Sequence, residues 1–315
     1  MPEEKIPLLV VGGPTASGKT RLAAELALRH NGEVVSADSM QIYRGMEIGT
    51  AKPTPEEMLG VPHHLMGFVE PGKSFSVADY VALAKSTIEE IHSRGKLPVL
   101  AGGTGLYIRS LITNTQFTEV DNDPNLRAQL QKRAEQEGAE SLLQELAEFD
   151  SESAQRIEPR NLPRLIRAIE LYRVTGVTMT EHLRRSRLAP SPYHSCFLCL
   201  GFRDREKLYE RINLRVDEMF ERGLVEEAKQ MLDMPSGATA MQAIGYKELL
   251  PYFRSEITLL QAKETIQRET RRYAKRQLTW FRREEQARWL YVDEYPQWEE
   301  LFTAAEEIMG RELHE

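Results

Sequence analysis

The sequence predicts an α/β fold: a parallel-sheet core, an all-helical insertion and a helical C-terminal region. Three observations carry this. Short aliphatic runs closed by glycines alternate with amphipathic stretches through the first hundred residues, as strand–helix–strand units around a parallel sheet require. From Asp121 to Arg187 no convincing strand remains and the chain turns charged and helical. One more aliphatic run follows, and then helical sequence from Asp204 to Arg288. A length of 315 residues suits one core with one inserted subdomain, here 1–120 with 188–315 as core and 121–187 as insertion.

In order, Ile6 to Val11 reads as a buried strand closed by Gly12 and Gly13. A helix follows from Lys19 to His30, with Leu22, Ala23, Leu26 and Ala27 on one stripe. Glu33 to Ala37 is a second strand. Pro53 to Gly72, rich in Pro and Gly, reads as a loop with a helical turn. Ser76 is placed to cap a helix over Val77 to His92. Lys96 to Ala101 is a third strand, ended by Gly102 and Gly103. In the insertion, Glu158 to Arg173 is the clearest amphipathic segment. Cys196 to Phe202 returns the chain to the sheet, turns are expected near Pro235 to Gly237, and Trp289 to Val292 is the last expected strand.

Composition is that of an ordinary soluble globular chain, 41% hydrophobic and 28% charged. Cys196 and Cys199 are the only cysteines, too few to staple this length, so a reducing compartment is expected. No apolar run approaches the roughly 18–20 residues of a membrane span, and Ile6 to Val11 is too short for a signal-peptide core. The expectation is a cytoplasmic protein without a membrane role. The net charge of −7 argues, taken alone, against a nucleic-acid binder.

Gly13, Pro14, Thr15, Ala16, Ser17, Gly18, Lys19 and Thr20 fit G-x-x-x-x-G-K-[ST] between a strand and a helix. Such a P-loop folds backbone N–H groups around a phosphate, and the helix N-terminus adds a favourable dipole. Lys19 would contact the terminal phosphates and Thr20 would hold Mg²⁺ through its hydroxyl. The core is therefore expected to be P-loop NTPase-like. A hydrolase of this type also needs an aspartate at the end of a second strand. The strand ending at Ala101 runs into Gly102-Gly-Thr-Gly105 instead, so a P-loop transferase fits better. The cradle also leaves ATP binding open.

Asp38 follows the second strand. Carboxyl ends of neighbouring strands line one crevice in an open α/β sheet, which brings Asp38 near the cradle as a proton acceptor or a simple turn cap. Ser39 and Gln41 are placed to read a base edge, and Thr104 faces the same crevice. Arg211 and Arg215 share a helix face at i, i+4; together with Arg205 they are either salt-bridged at the surface or reach the phosphates.

Charge is segregated along the chain. Arg156 to Arg187 holds eight arginines against three acids, and Arg160, Arg164 and Arg167 are expected on one helix face. Arg268 to Arg288 holds eight basic residues against three acids. Asp121 to Glu152 and the tail after Trp289 are acidic. A single charged stripe is ordinarily a solvated helix face, whereas two, set apart from acidic stretches, suit phosphate contacts. Cys196 and Cys199 lack a second pair for zinc and read as core. His63 and His64 alone make no metal site.

These segments resemble a known family. Gly13 to Thr20, Ser36 to Arg44, Ile48 to Pro53, Pro62 to Leu65, Gly102 to Tyr107, Asn161 to Glu170, Gln242 to Glu248 and Arg272 to Arg282 are similar, in order, to the bacterial tRNA dimethylallyltransferases. The resemblance implies transfer of a dimethylallyl group from dimethylallyl diphosphate to the exocyclic amine of the adenine 3′ of the anticodon, with Mg²⁺. It implies that Asp38 is the general base, with Thr104 beside it; Arg211 and Arg215 are expected with the cradle at the diphosphate by analogy with P-loop transferases in general. It places Asp38, Ser39, Met40, Gln41, Thr104 and Arg127 near the substrate base. RNA contacts are implied at Pro163, Arg164, Leu165, Ile166 and Arg167, at Gln242, Gly245 and Tyr246, and at Lys275, Arg276, Gln277, Trp280 and Arg282. The partner is the tRNA anticodon stem-loop, and a monomer without an obligate protein partner is expected. Two other readings compete: a small-molecule kinase with ATP as donor, which the basic stripes disfavour, and a non-catalytic RNA binder, which the P-loop and Asp38 disfavour.

Overall fold

The computed structural model describes residues 5–117, 123–186, 189–233 and 240–314. The turns expected near Pro235 to Gly237, and Asp121 and Arg187, lie outside the described residues. The chain divides into two compact units: residues 1–112 with 192–315, and residues 113–191.

The first unit is built on β1 (Ile6–Gly12), α1 (Lys19–Arg29), β2 (Gly32–Ser36), β3 (His63–His64), α2 (Val77–Ser93), β4 (Leu97–Gly102) and α3 (Gly105–Ile112). The second unit holds α4 (Pro124–Glu137), α5 (Ala139–Phe149), α6 (Ser151–Arg156), α7 (Leu162–Thr175) and α8 (Met179–Arg185). The chain then returns to the first unit through β5 (Tyr193–Gly201), α9 (Arg205–Glu221), α10 (Leu224–Asp233), α11 (Leu250–Phe253), α12 (Leu259–Phe281), β6 (Ala287–Tyr291) and α13 (Trp298–His314).

The six strands form one parallel sheet in the order β3-β2-β4-β1-β5-β6. Leu9 of β1 pairs with Val99 of β4 on one side and Cys196 of β5 on the other. Both faces of these inner strands are covered, which is why they read as continuous aliphatic runs rather than alternating ones. Leu22 and Leu26 of α1 share one buried cluster with Leu9, Val11, Leu198 and, from α13, Leu301, Ala305 and Met309. A second cluster packs Ile42, Tyr43 and Met46, which follow β2, against Val216, Leu224, Ala262 and Ile266 of α9, α10 and α12. Ser76 caps α2 as expected, in a reciprocal capping box with Asp79.

Three elements escaped the sequence reading. β3 has two residues and no periodicity of its own; pairing with Val34 and Val35 makes it a strand. α3 follows the glycine turn directly, and its eight residues are too few to display a period. α13 runs through the acidic tail, where the charges mask a buried stripe of Leu301, Ala305 and Met309 at four-residue spacing. In the second unit, α7 buries Leu165, Ile166 and Ile169 against Leu130, Leu142 and Leu146. It starts at Leu162, so Arg160 lies before the helix and pairs with Glu158 instead of extending the arginine face. Cys196 and Cys199 are buried and unbridged, and burial pushes the Cys196 thiol up to about 12. Among the described residues no helix is long and apolar enough to cross a membrane.

Candidate active site

β1 delivers the chain into the glycine loop, and α1 begins at Lys19. Gly18 caps that helix at φ 92°, a left-handed conformation that a side chain would strain, and a Cβ there would also meet the Trp298 ring at 3.2 Å. The loop is held from three directions. The buried side chain of Gln277 on α12 accepts from Thr15 N–H (2.9 Å) and donates to Gly103 O (3.0 Å), joining the cradle to the turn after β4. On α9, Arg211 Nε donates to Ala16 O at 2.9 Å, and Arg215 donates to Thr15 Oγ1 and to Ala51 O, each at 3.3 Å. From outside, Trp298 lies on Gly18 and donates its indole N–H to Glu25 of α1 at 2.6 Å, while the Arg21 guanidinium stands 4.4 Å over its ring.

The chain leaving β2 crosses the end of β4 so closely that a Cβ on Gly102 would come within 2.2 Å of Ala37 O. That crossing brings Asp38 to the cradle. Asp38 Oδ1 accepts from Met40 N–H at 2.9 Å and, more weakly, from Gln41 N–H at 3.4 Å. Its Oδ2 makes no hydrogen bond among the described residues. Thr104 Oγ1 accepts from Ser39 N–H at 3.0 Å and donates to Ser39 Oγ at 3.3 Å, so it fixes the turn that carries Asp38. Gln41 donates to Thr50 O and Ala51 O, at 3.2 and 3.1 Å. The loop of residues 47–49 is clasped by Glu227, whose carboxylate accepts from Glu47, Ile48 and Gly49 N–H and from Tyr246 OH.

Between these groups lies a cavity of about 240 Å³. One end is polar: Thr15, Lys19, Thr20, Asp38 and Arg215. Farther from the cradle Met219, Ile244 and Ile266 line it beside Gln242, Lys247 and Thr270, and Tyr273, Arg276 and Gln277 of α12 complete the lining. Burial pulls Lys19 down to about 8; the Arg215 charge adds to the shift and Asp38 opposes it. Burial also lowers Arg215. Two cations desolvated side by side, with one carboxylate nearby, describe a site that is balanced by an incoming polyanion.

A profile of the family described as IPP transferase matches residues 41–284. The chain belongs to the IPP transferase family. A tRNA dimethylallyltransferase of Acetivibrio thermocellus is 50% identical over 291 residues, covering 91% of this chain and 92% of the relative. That of Bacillus subtilis is 49% identical over 290 residues, 92% of each. The crystal structure of the full-length tRNA isopentenylpyrophosphate transferase of Bacillus halodurans matches with a TM-score of 0.73 at 43% identity, over 98% of this chain and 97% of that one. A eukaryotic dimethylallyltransferase acting on tRNA matches with a TM-score of 0.76 at 30% identity, over 88% and 70%.

In this IPP transferase the fold brings Asp38, Lys19, Thr20, Arg215 and Gln41 into one cavity. It gives the other residues different surroundings. Leu165 and Ile166 are buried in the insertion core. Tyr246 is buried, donates to Glu227 and packs on Gly49, and Gly245 N–H donates to Glu248; neither lines the cavity, and Tyr246 braces Gly49, which does. Gln277 spends its amide on the cradle, and the Trp280 ring lies against Gly105 of α3. Gln41 spends its amide on backbone carbonyls rather than on a base edge, and Thr104 acts through the Asp38 turn. Met40 packs on the second cluster and lines the cavity with Ser39. Arg276 and Gln242 also line the cavity, whereas Lys275 and Arg282 are exposed, Arg282 just past the end of α12. Arg127 and Arg167 both bind the buried carboxylate of Glu170, at 2.8 and 2.9 Å, while Pro163 and Arg164 are exposed. Arg205 is exposed at the start of α9, apart from the Arg211–Arg215 pair.

Glu227 and Trp298 were absent from the sequence reading. Both act on partners far away in the chain, and no local pattern announces them. For Gln277 a signal exists: Ile266, Thr270, Tyr273 and Gln277 recur at helical spacing, so the stripe of α12 that faces the cavity turns polar where it meets the cradle.

Proposed function

We infer that the chain transfers a dimethylallyl group from dimethylallyl diphosphate to the exocyclic N6 amine of the adenine 3′ of the anticodon in tRNA, releasing diphosphate. The single observation that carries this is a cavity with half-buried Lys19 and Arg215 toward the cradle, Met219, Ile244 and Ile266 farther along it and Asp38 facing it. An allylic diphosphate has that polarity.

The cradle N–H groups, Lys19 and Arg215 bind the diphosphate, and Met219, Ile244 and Ile266 orient the five-carbon chain. The adenine must leave its stack, at a cost of a few kcal/mol. Its N6 lone pair forms the new bond to the allylic C1, the C1–O bond breaks, and the electron pair leaves on diphosphate. The amine proton passes to Asp38. Lys19 and Arg215 meet the negative charge developing on the departing oxygen, which is where such groups lower a barrier most.

Thr20 and Asp38 bring hard oxygen donors to the edge of the cavity, and no cluster of three carboxylate, His or Cys ligands exists among the described residues. That set suits Mg²⁺, which keeps waters and takes most of its remaining ligands from phosphate. Thr20 would hold the ion, which supplies charge neutralisation to the diphosphate. Arg164, with Arg127 and Arg167, forms the RNA-facing set on the insertion.

The test is turnover with dimethylallyl diphosphate, Mg²⁺ and an anticodon stem-loop. Mass spectrometry should show one prenyl group added to the target adenine. Phosphorylation of a metabolite from ATP, without prenylation, would overturn the reading.

A further inference from the structure

The histidine pair after Pro62 plays no part in the chemistry derived above. β3 pairs with β2 through Val34 and His63, and strand alternation sends the two rings to opposite faces of the sheet. His64 turns to the buried Glu33 carboxylate, its Nε2 2.7 Å from Oε2. His63 turns the other way. Its Nδ1 lies 2.8 Å from Val61 O, and because a carbonyl only accepts, Nδ1 carries the hydrogen. Burial lowers the His63 pKa and keeps the ring neutral, so Nε2 is a bare acceptor. That nitrogen is buried without a protein partner among the described residues. His63 lines a cavity of about 20 Å³ with Lys19, Thr20, Asp38 and Gln41, four residues that also line the main cavity.

That volume is enough to hold a water. Donor and acceptor accounting then specifies its bonds. Neutral His63 presents only an acceptor here, and ionised Asp38 presents only acceptors, so the two cannot bond to each other. A water donates to both at once, while its lone pairs accept from Lys19 or Thr20. We propose that this cavity is a built site for one water that bridges His63 Nε2 to Asp38 Oδ2, making His63 a positioning residue for proton acceptance. Asp38 Oδ1 is already held by the Met40 N–H; the water holds the other oxygen and fixes the carboxylate plane toward the incoming amine. The proposal rests on the assignment of Asp38 as proton acceptor.

The experiment compares His63→Gln, whose side-chain carbonyl keeps an acceptor, with His63→Leu, which fills similar space without one. Wild-type prenylation of the stem-loop is run alongside; its absence would sink the transfer reading rather than this one. His63→Leu should lower kcat about ten- to a hundredfold, the range for losing one hydrogen bond to a charged group, with KM for dimethylallyl diphosphate within about threefold. His63→Gln should stay within about threefold of wild type in kcat. Equal losses in the two variants would make His63 a packing residue, and a wild-type rate in His63→Leu would disconnect the cavity from catalysis. A crystal structure of the wild-type chain supplies an independent check. A water within about 3.2 Å of both His63 Nε2 and Asp38 Oδ2 supports the bridge, and a structure without one overturns it.

Discussion

Each unit of the molecule buries one carboxylate beneath several cations, and the two arrangements serve different ends. In the core, Glu33 at the start of β2 meets His64, Arg94 and Lys96, each at 2.7 Å. These partners come from β3, the end of α2 and the residue before β4, so the cluster ties the sheet edge together at the end of the strands away from the cradle. In the insertion, Glu170 is fully buried on α7 and takes Arg127 of α4 and Arg167 of α7 on the same oxygen. The Arg127 and Arg167 side chains are 50% and 36% exposed, and those of His64, Arg94 and Lys96 are 32%, 38% and 33% exposed, so exposure alone does not separate the clusters. What differs is what each acid joins, the sheet edge at Glu33 and two insertion helices at Glu170. The charge count along a helix does not separate these cases, whereas the position of the buried acid does.

Asp38→Asn draws the sharpest contrast, because Asp38 is a carboxylate held by backbone N–H rather than by cations. It keeps an oxygen for Met40 N–H but loses proton acceptance. Turnover should fall about 10²–10⁴-fold, with the melting temperature unchanged. A loss below tenfold would place Asp38 with the structural carboxylates.

Glu33 is held down at about 2 from an ordinary 4.5. Burial pushes it up, but hydrogen bonds from Lys96 and His64 and the Arg94 charge outweigh that. The folded chain keeps Glu33 ionised where the unfolded chain takes up a proton. Its contribution is therefore fully present above about pH 4.5 and is lost as pH falls toward 2. The effect is about 2–3 kcal/mol once the partial exposure of its partners is counted. Acid titration of stability should be steeper for wild type than for Glu33→Gln over that range; parallel curves would remove the cluster from the stability account.

Removing Arg127 and Arg167 together strands Glu170 in the insertion core and should cost about 2 kcal/mol, below the usual range for a broken buried pair because both guanidiniums are partly solvated. Hydrogen exchange in α4 and α7 reads this directly. Glu170→Gln should cost less, since it leaves only solvated cations; the reverse order would mean that the arginines, not the acid, set the geometry.

Arg164 is exposed and makes no ion pair among the described residues, so Arg164→Ala should leave stability within about 0.5 kcal/mol. It should weaken stem-loop binding several-fold and make the salt slope shallower by about one. An unchanged slope would return Arg164 to the ordinary solvated surface.

The cradle and Asp38 were legible in the sequence because strand, glycine and lysine spacing states a local geometry. Arg211 and Arg215 were half legible: four-residue spacing put them on one face, but only the packing of α9 showed that the face meets Ala16 and Thr15. In the second arginine-rich stretch Arg271 bonds Asn213 and Arg272 bonds Glu269, while Thr270, Tyr273, Arg276 and Gln277 line the cavity, a division that charge counting alone does not give. His63 looked inert because its significance lies in the face it presents from a two-residue strand, which no periodicity could reveal.

The strand order also bears on how the chain assembles. β1 is synthesised first, yet Leu9 finds its neighbours only when Val99 and then Cys196 have been made. The whole insertion, whose core is formed among its own helices, is translated before the second of these. An aliphatic strand with one unpaired edge thus waits through some eighty residues of locally folding sequence, a situation that favours slow closure and transient association with other chains. The phosphate cradle is thereby among the earliest segments made and the last completed, and docking of β5 onto β1, rather than formation of the helical insertion, should set the pace of refolding.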